Sequence, residues 1–256
     1  MTLQQTRERL ALALIVLLPF HAFLVTAATR VLSGPGHAPL AALALWKEVA
    51  VLMLMGIVFA ELVADPAALN RLRRIDPIDR ITCLFAMLAL IVTWAHFAGW
   101  GPLLYGAKYD LLPLILLAVL KLVPWSKAFG RHALSALLWT GAVVALLGFV
   151  MLVLPQNVFT MLGYSDLHSL YVANGPLAPF QQLGGSAIRR MQSVMSGPNQ
   201  LGIWMLLPLS AAFVALIRTV REKLNWTRMG ALAVLAAALT LTFCRSAWIG
   251  AAAIVV

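Results

Sequence analysis

Charge is scarce in this chain. Asp, Glu, Lys and Arg together make up 11% of it, against about a quarter in a usual soluble domain. With 62% hydrophobic residues, there is too little polar surface to cover a fold of ordinary size in water. Cysteine is also scarce. Cys83 and Cys244 stand far apart in apolar segments, which excludes a disulfide framework. Acidic residues are rarer still than basic ones, 9 against 19, so the formal net charge is +10. Such an excess of positive charge is a feature of nucleic-acid binders, but its placement argues otherwise. The basic residues sit mostly in short segments between apolar blocks, as topogenic charges do. No nucleic acid is expected as a partner. Fixed-period repeats and low-complexity tracts are absent as well.

What is present is a series of long apolar blocks. They predict spans near residues 10–28, 45–64, 81–99, 103–123, 133–154, 199–217 and 230–244. Most approach the roughly 20 residues that a helix needs to cross a bilayer. The fold class predicted is therefore all-α: a multi-pass transmembrane helical bundle of seven complete spans. The loops between spans alternate in charge. One side has Arg7, Arg9, Arg71, Arg73, Arg74, Arg80, Lys121, Lys127, Arg131, Arg218, Arg221, Lys223 and Arg228. The other has Arg30, Lys47, Lys108, Arg189, Arg190 and Arg245. The 19 basic residues thus divide 13 to 6. Basic residues stay on the cytoplasmic side, so the first set faces the cytoplasm, as does the N-terminus. The membrane is read as a bacterial inner membrane. Residues 10–28 follow a basic, polar start, as a signal peptide does, but the stretch is long for one and more spans follow. A retained first helix is the preferred reading.

Three segments then face outward. Arg30 to Leu43 contains Gly34-Pro35-Gly36 and reads as a turn. The second is brief, around Trp100-Gly101-Pro102. The third, residues 155–197, is the longest stretch between spans and is read as a periplasmic loop. It mixes polar residues (Asp166, His168, Asn174, Gln181, Gln182) with Tyr164, Tyr171 and Phe180. Loops of this length are uncommon unless they work. Short amphipathic pieces along the membrane surface are the expected form. After Arg245 the chain has 11 more residues to Val256. An eighth helix begun there reaches about 16 Å, roughly half the hydrocarbon thickness. One long helix over 230–256 is the alternative, with Arg245 stranded at depth. Either way the end reads as cut. The expectation is a single integral membrane domain over 1–256, the N-terminal part of a longer protein, with a truncated eighth span.

Two stretches stand out chemically. The first runs Arg190-Met-Gln-Ser193-Val-Met-Ser196-Gly197-Pro198-Asn199-Gln-Leu-Gly202. It is a good helix start: Ser196 or Gly197 caps, and Pro198 fits the first turn because it lacks the N–H that is orphaned there. A helix N-terminus beside an arginine is also a ready place for a phosphate-like anion. Plain helix punctuation with an interfacial anchor explains the same residues. The second stretch, Leu241-Thr-Phe-Cys244-Arg245-Ser246-Ala-Trp-Ile-Gly250, places an arginine at the outer membrane surface, against the charge rule. Function or snorkelling to headgroups accounts for it equally.

These two stretches resemble the O-antigen ligase and polymerase family of bacterial membrane proteins. Members tend to have an Arg-x-x-Ser-x-x-x-x-Pro-Asn segment opening a mid-chain helix, and later a Thr-x-Ser-Arg-like turn followed by small and aromatic residues. Arg190, Ser193, Pro198 and Asn199 match the first. Thr242 and Arg245-Ser246-Ala247-Trp248 match the second, with Cys244 where serine is common. Trp46-Lys47-Glu48 and Gly106-Ala-Lys108-Tyr109 resemble family habits less specifically. The likeness covers roughly residues 45–250. It implies a membrane glycosyltransferase that moves a glycan from a polyprenyl-diphosphate carrier to an acceptor at the periplasmic face, in cell-surface polysaccharide and lipopolysaccharide synthesis. The implied partners are the polyprenyl-diphosphate-linked glycan donor, membrane lipid, and a glycan or lipid A-core acceptor. No metal and no cofactor are implied. Arg190 and Arg245 then hold the diphosphate, with Ser193, Pro198, Asn199 and Ser246 in support. The bidentate geometry of arginine suits such a leaving group, and preorganised cations stabilise the charge left on it.

The family's later periplasmic loop, with its general-base histidine, is expected beyond Val256, so the catalytic residue is unassigned and the activity of this chain alone is open. His168 lies in an earlier loop and is not given that role. His21 and His96, within apolar helices, are read as hydrogen-bonded packing residues. Two other classes compete. A secondary transporter or flippase would use Lys47, Glu48, Glu61 and Asp110 as a pathway, although no matching pair of interrupted helices marks two halves. A non-catalytic membrane subunit would present its outer loop to partners.

Overall fold

A computed structural model of the chain describes every residue except 1, 66–75, 98, 166–174, 185, 220–225 and 256, and excludes the side chains of 102, 105, 108–110, 218, 219 and 255. Arg71, Arg73, Arg74, Asp166, His168, Tyr171, Asn174, Arg221 and Lys223 therefore lie outside the described residues, as do the side chains of Lys108, Tyr109, Asp110 and Arg218. Helices dominate, and among the described residues the only strands are those of one short hairpin, so the chain is all-α. In order they are α1 (Leu3–Leu17), α2 (His21–Ser33), α3 (Ala41–Ala44), α4 (Trp46–Ala64), α5 (Pro77–Ala95), α6 (Trp100–Lys121), α7 (Lys127–Val153), α8 (Gln156–Met161), α9 (Pro198–Thr219), α10 (Trp226–Leu241) and α11 (Arg245–Val255). The hairpin, β1 (Gln181–Gln182) with β2 (Arg189–Arg190), lies between α8 and α9.

Among the described residues, five helical segments are long and apolar enough to cross a bilayer: Leu3–Ser33, Ala41–Ala64, Pro77–Ala95, Lys127–Val153 and Pro198–Ile217. The apolar part of α6, Leu111–Lys121, and α10, Trp226–Leu241, are shorter. Large apolar side chains cover the outside of these helices. On α5, Ile81, Leu84, Phe85, Leu88 and Ile91 are all exposed, and none of its residues is buried. That surface suits hydrocarbon rather than water, and the chain is a membrane protein on these grounds.

The contacts divide the chain into two compact units, Met1–Ala11 with Glu48–Ser126, and Leu12–Lys47 with Lys127–Val256. In the first, α5 starts with a full capping box. Asp76 accepts from the Asp79 amide at 2.9 Å, Asp79 accepts from the Asp76 amide at 3.0 Å, and Pro77 occupies the first turn. Lys121 closes this corner with bonds of 2.7 and 2.6 Å to Asp76 and Asp79. Its hydrogen bond, together with that from the Asp79 amide, holds the Asp76 carboxyl below its ordinary value. Arg7 is fully buried. It pairs with Glu61, donates to the Pro124 carbonyl and lies 4.5 Å from the Trp125 ring centroid. A residue read as a topogenic charge is thus a buried ion pair as well.

The second unit is a bundle of α7, α9, α10 and α11. Its core includes Val144, Ala145, Leu201, Met205, Leu235, Ala238 and Ala247, with Met191, Val194 and Met195 from the segment before α9. The helices approach closely where side chains are small. A Cβ on Gly141 would lie 2.3 Å from Pro208 Cβ and 3.0 Å from a Leu235 methyl, so α7, α9 and α10 meet there. The first helical segment is broken by the 3-10 turn Leu18–Phe20, with Pro19 in it. The break frees the Phe23 amide, which donates to the Val194 carbonyl at 3.2 Å. Gly34 and Gly36 have φ of 89° and 78°, as the predicted Gly-Pro-Gly turn requires.

Candidate functional site

The site forms at the end of the bundle where α7 and α10 finish and α9 and α11 begin. Two adjacent arginines organise it. In the hairpin, Gln181 faces Arg190 and Gln182 faces Arg189. Neighbouring strand residues point to opposite faces, so the two guanidinium groups serve different helices. Arg189 donates to the Leu152 and Leu154 carbonyls at the end of α7, at 3.4 and 2.9 Å, and stacks 4.2 Å from the Phe180 ring centroid. Arg190 donates through Nε to the Thr242 carbonyl at 2.9 Å and through Nη2 to the Phe243 carbonyl at 3.4 Å, just past the end of α10. Each arginine therefore meets the orphan carbonyls and negative dipole end of a helix. Arg190 also reaches Gln181 Oε1 at 3.3 Å and Asn199 Oδ1 at 2.7 Å. All three of its nitrogens are engaged.

The residues after Arg190 are threaded into the bundle. The Met191 amide donates to the Leu241 carbonyl at 2.8 Å, Gln192 Nε2 to the Ala178 carbonyl at 2.7 Å, and Ser193 Oγ to the Val144 carbonyl at 2.6 Å. Met191, Gln192, Ser193, Val194 and Met195 are all buried. Room for them comes from Gly148, where a Cβ would lie 2.8 Å from Met191 Sδ and 3.2 Å from Ser193 Cβ. Burial of Met191, Val194 and Met195 in the apolar core stabilises this course. Upstream, Phe159, Tyr164 and Phe180 stack edge to face around α8. Burial pushes the Tyr164 phenol above its ordinary pKa.

Pro198 is fully buried and opens α9, with Asn199 exposed beside it. A Cβ on Gly202 would lie 2.8 Å from Cys244 Cβ and 3.1 Å from Ala247 Cβ, so α9 rests directly on the turn that starts α11. That turn is a true break between α10 and α11. Of the two courses open from the sequence, a single helix over 230–256 or a new helix at Arg245, the chain takes the second. Phe243 makes the turn with φ of 50°. Thr242 Oγ1 binds the Leu239 carbonyl at 2.7 Å and accepts from the Cys244 amide at 3.2 Å. Ser193, at φ 53°, and Phe243 are the two positive-φ non-glycine residues among those described. Both lie here, and such strain gathers at functional places. Arg245, the first residue of α11, is exposed, with no hydrogen bond or ion pair among the described residues. Ser246 is exposed beside it, its Oγ 3.3 Å from Cys244 Sγ.

The two stretches singled out in the sequence are thus brought together across 52 residues by the Arg190–Thr242 bond. Asn199, Arg245 and Ser246 are exposed and Arg190 is half-buried, whereas Ser193 and Pro198 are buried. The helix-capping role of Arg189 and Arg190, and the need for Gly148, were not read from the sequence. A lone glycine within an apolar helix is the signal for Gly148. Elsewhere, His96 bonds the Val92 carbonyl at 3.1 Å, and the His21 ring lies 5.6 Å from that of Trp46. Both cysteines are free thiols. Among the described residues, no three His, Cys, Asp or Glu gather as a metal site. Compared with known proteins, the chain matches no family model, no curated protein and no solved structure.

Proposed function

We propose that this chain is a membrane glycosyltransferase component of O-antigen ligase or polymerase type, which binds a polyprenyl-diphosphate-linked glycan at the periplasmic face of a bacterial inner membrane. In this reading α6 and α10 cross the membrane with the five longer segments, making seven spans, and the N-terminus is cytoplasmic. The observation that carries the proposal is the meeting of the two family-like segments around Arg190. The helical hairpin of α9 and α10 puts both segments at one end of the bundle, and Arg190 bonds them to each other through Asn199, Thr242 and Phe243.

Within that cluster the roles divide. Arg245 has an uncommitted guanidinium and offers it to the diphosphate, with Ser246 and the first amides of α11 beside it. Arg190 adds positive charge but spends its N–H groups on Thr242, Phe243, Gln181 and Asn199, so it sets the site's shape. The carrier's sugar–phosphate bond breaks with negative charge left on the diphosphate, and a fixed cation lowers that cost. The transporter reading is less well served. Its Glu61 pairs with Arg7, which removes one of the charges it would move.

The test is binding of a short-chain polyprenyl diphosphate to the purified chain in nanodiscs. Arg245→Ala weakens binding at least about tenfold, the loss of one charge-assisted contact, and Arg245→Lys restores part of it. Equal affinity of Arg245→Ala and the unaltered chain refutes the diphosphate role.

A further inference from the structure

At the opposite end of the second unit, α7, α9 and α10 part below their contact at Gly141 and Pro208. The space between them is a cavity of about 520 Å³, lined by Arg131, Leu134, Leu138, Trp139, Val214 and Arg228 among others. We infer that this cavity binds one anionic phospholipid of the surrounding membrane, through Arg131 and Arg228 and along an apolar track on α7.

Three features of the cavity define its occupant. The first is charge. Two arginines line it, and no acidic residue is among its described lining residues. Arg131 is exposed and makes no hydrogen bond or ion pair among the described residues, while Arg228 Nη1 donates to the Ala215 carbonyl at 3.3 Å. Arg131 lies in the second turn of α7 and Arg228 in the first of α10, where the helix dipoles also favour an anion. The Ser135 and Thr227 hydroxyls are the polar groups nearby for phosphate oxygens.

The second is apolarity. Leu134, Leu138, Trp139 and Val214 make the walls greasy, which a free anion does not need and a lipid does. The third is continuity. From Trp139 at the cavity, the exposed residues Val143, Leu146 and Val150 follow up α7. Spacings of four, three and four residues put them on one face. This stripe is a track for an acyl chain leading away from the headgroup toward the middle of the membrane. A basic pocket between membrane helices that opens onto an apolar stripe is the arrangement anionic lipid headgroups recognise. The inference does not depend on the glycosyltransferase reading, because no residue is shared with the Arg245 cluster.

Native mass spectrometry of the purified chain, incubated with equal amounts of phosphatidylglycerol and phosphatidylcholine of matched chains, tests it. The unaltered protein retains phosphatidylglycerol preferentially. Arg131→Ala lowers that retention about fivefold, Arg131→Lys largely keeps it, and Arg245→Ala leaves it unchanged. The melting curve of Arg131→Ala matches the parent, since the side chain has no partner among the described residues to lose. Equal retention of the two lipids overturns the inference. So does an unaffected Arg131→Ala, or inorganic phosphate that displaces no lipid yet binds Arg131 as tightly by itself.

Discussion

Three arginines at one end of the second unit have two different fates. Arg189 ends α7 by taking up the Leu152 and Leu154 carbonyls, Arg190 does the same beyond α10, and Arg245 has no hydrogen bond or ion pair among the described residues. A helix C-terminus at a membrane interface has carbonyls that hydrocarbon cannot satisfy. Donating to helix-end carbonyls is a role for Arg189 and Arg190 that does not depend on which side they face. It also separates positioning from ligand contact experimentally. Arg190→Ala leaves the Thr242 and Phe243 carbonyls short of a donor and cuts the tie to Asn199, at about 2 kcal/mol. It therefore lowers the melting temperature in detergent by several degrees, whereas Arg245→Ala leaves it within a degree or so of the parent. Equal melting of all three proteins would remove the capping account. The sequence singled out Arg190 and Arg245 but not the different bonding that the fold gives them. Arg190 and Arg245 read alike in a linear string, because their difference lies in carbonyls 52 residues away.

At the scale of elements, the local rules read well and the contacts between elements did not. Pro198 at the start of α9 and the glycine turn after α2 follow from backbone chemistry that a few neighbouring residues settle. The insertion of Met191–Met195 into the bundle depends instead on Gly148, more than 40 positions earlier. The break before α11 had to be left open in the sequence, because Phe243 is an unusual choice for a left-handed turn. Gly202 is where these elements depend on one another. A larger residue there collides with Cys244 and Ala247, so Gly202→Leu pushes the α10–α11 turn off α9. Because Arg190 bonds to both sides of that contact, the substitution abolishes polyprenyl-diphosphate binding while leaving helix content by circular dichroism intact. Binding that persists in Gly202→Leu would show that the site does not need the two segments held together.

For the whole molecule, the apolar blocks and the near absence of charge were enough to predict a helical membrane protein. The count of crossings was harder to read, since α10 has 16 residues and the apolar part of α6 has 11. The second unit puts basic residues at its two ends. One end of its bundle has the hairpin, Asn199 and Arg245; the other has Lys127, Arg131 and Arg228. In the proposed reading the end with Arg245 faces the periplasm and the end with Arg131 and Arg228 the cytoplasm.

Cysteine labelling in intact bacterial cells measures this directly. In a background with Cys83→Ala and Cys244→Ser, a cysteine is placed either at exposed Ser196 or at exposed Lys127. Ser196→Cys is predicted to react with a membrane-impermeant maleimide in intact cells, and Lys127→Cys only after the inner membrane is opened. The reverse pattern would place Arg190 and Arg245 in the cytosol and contradict the account.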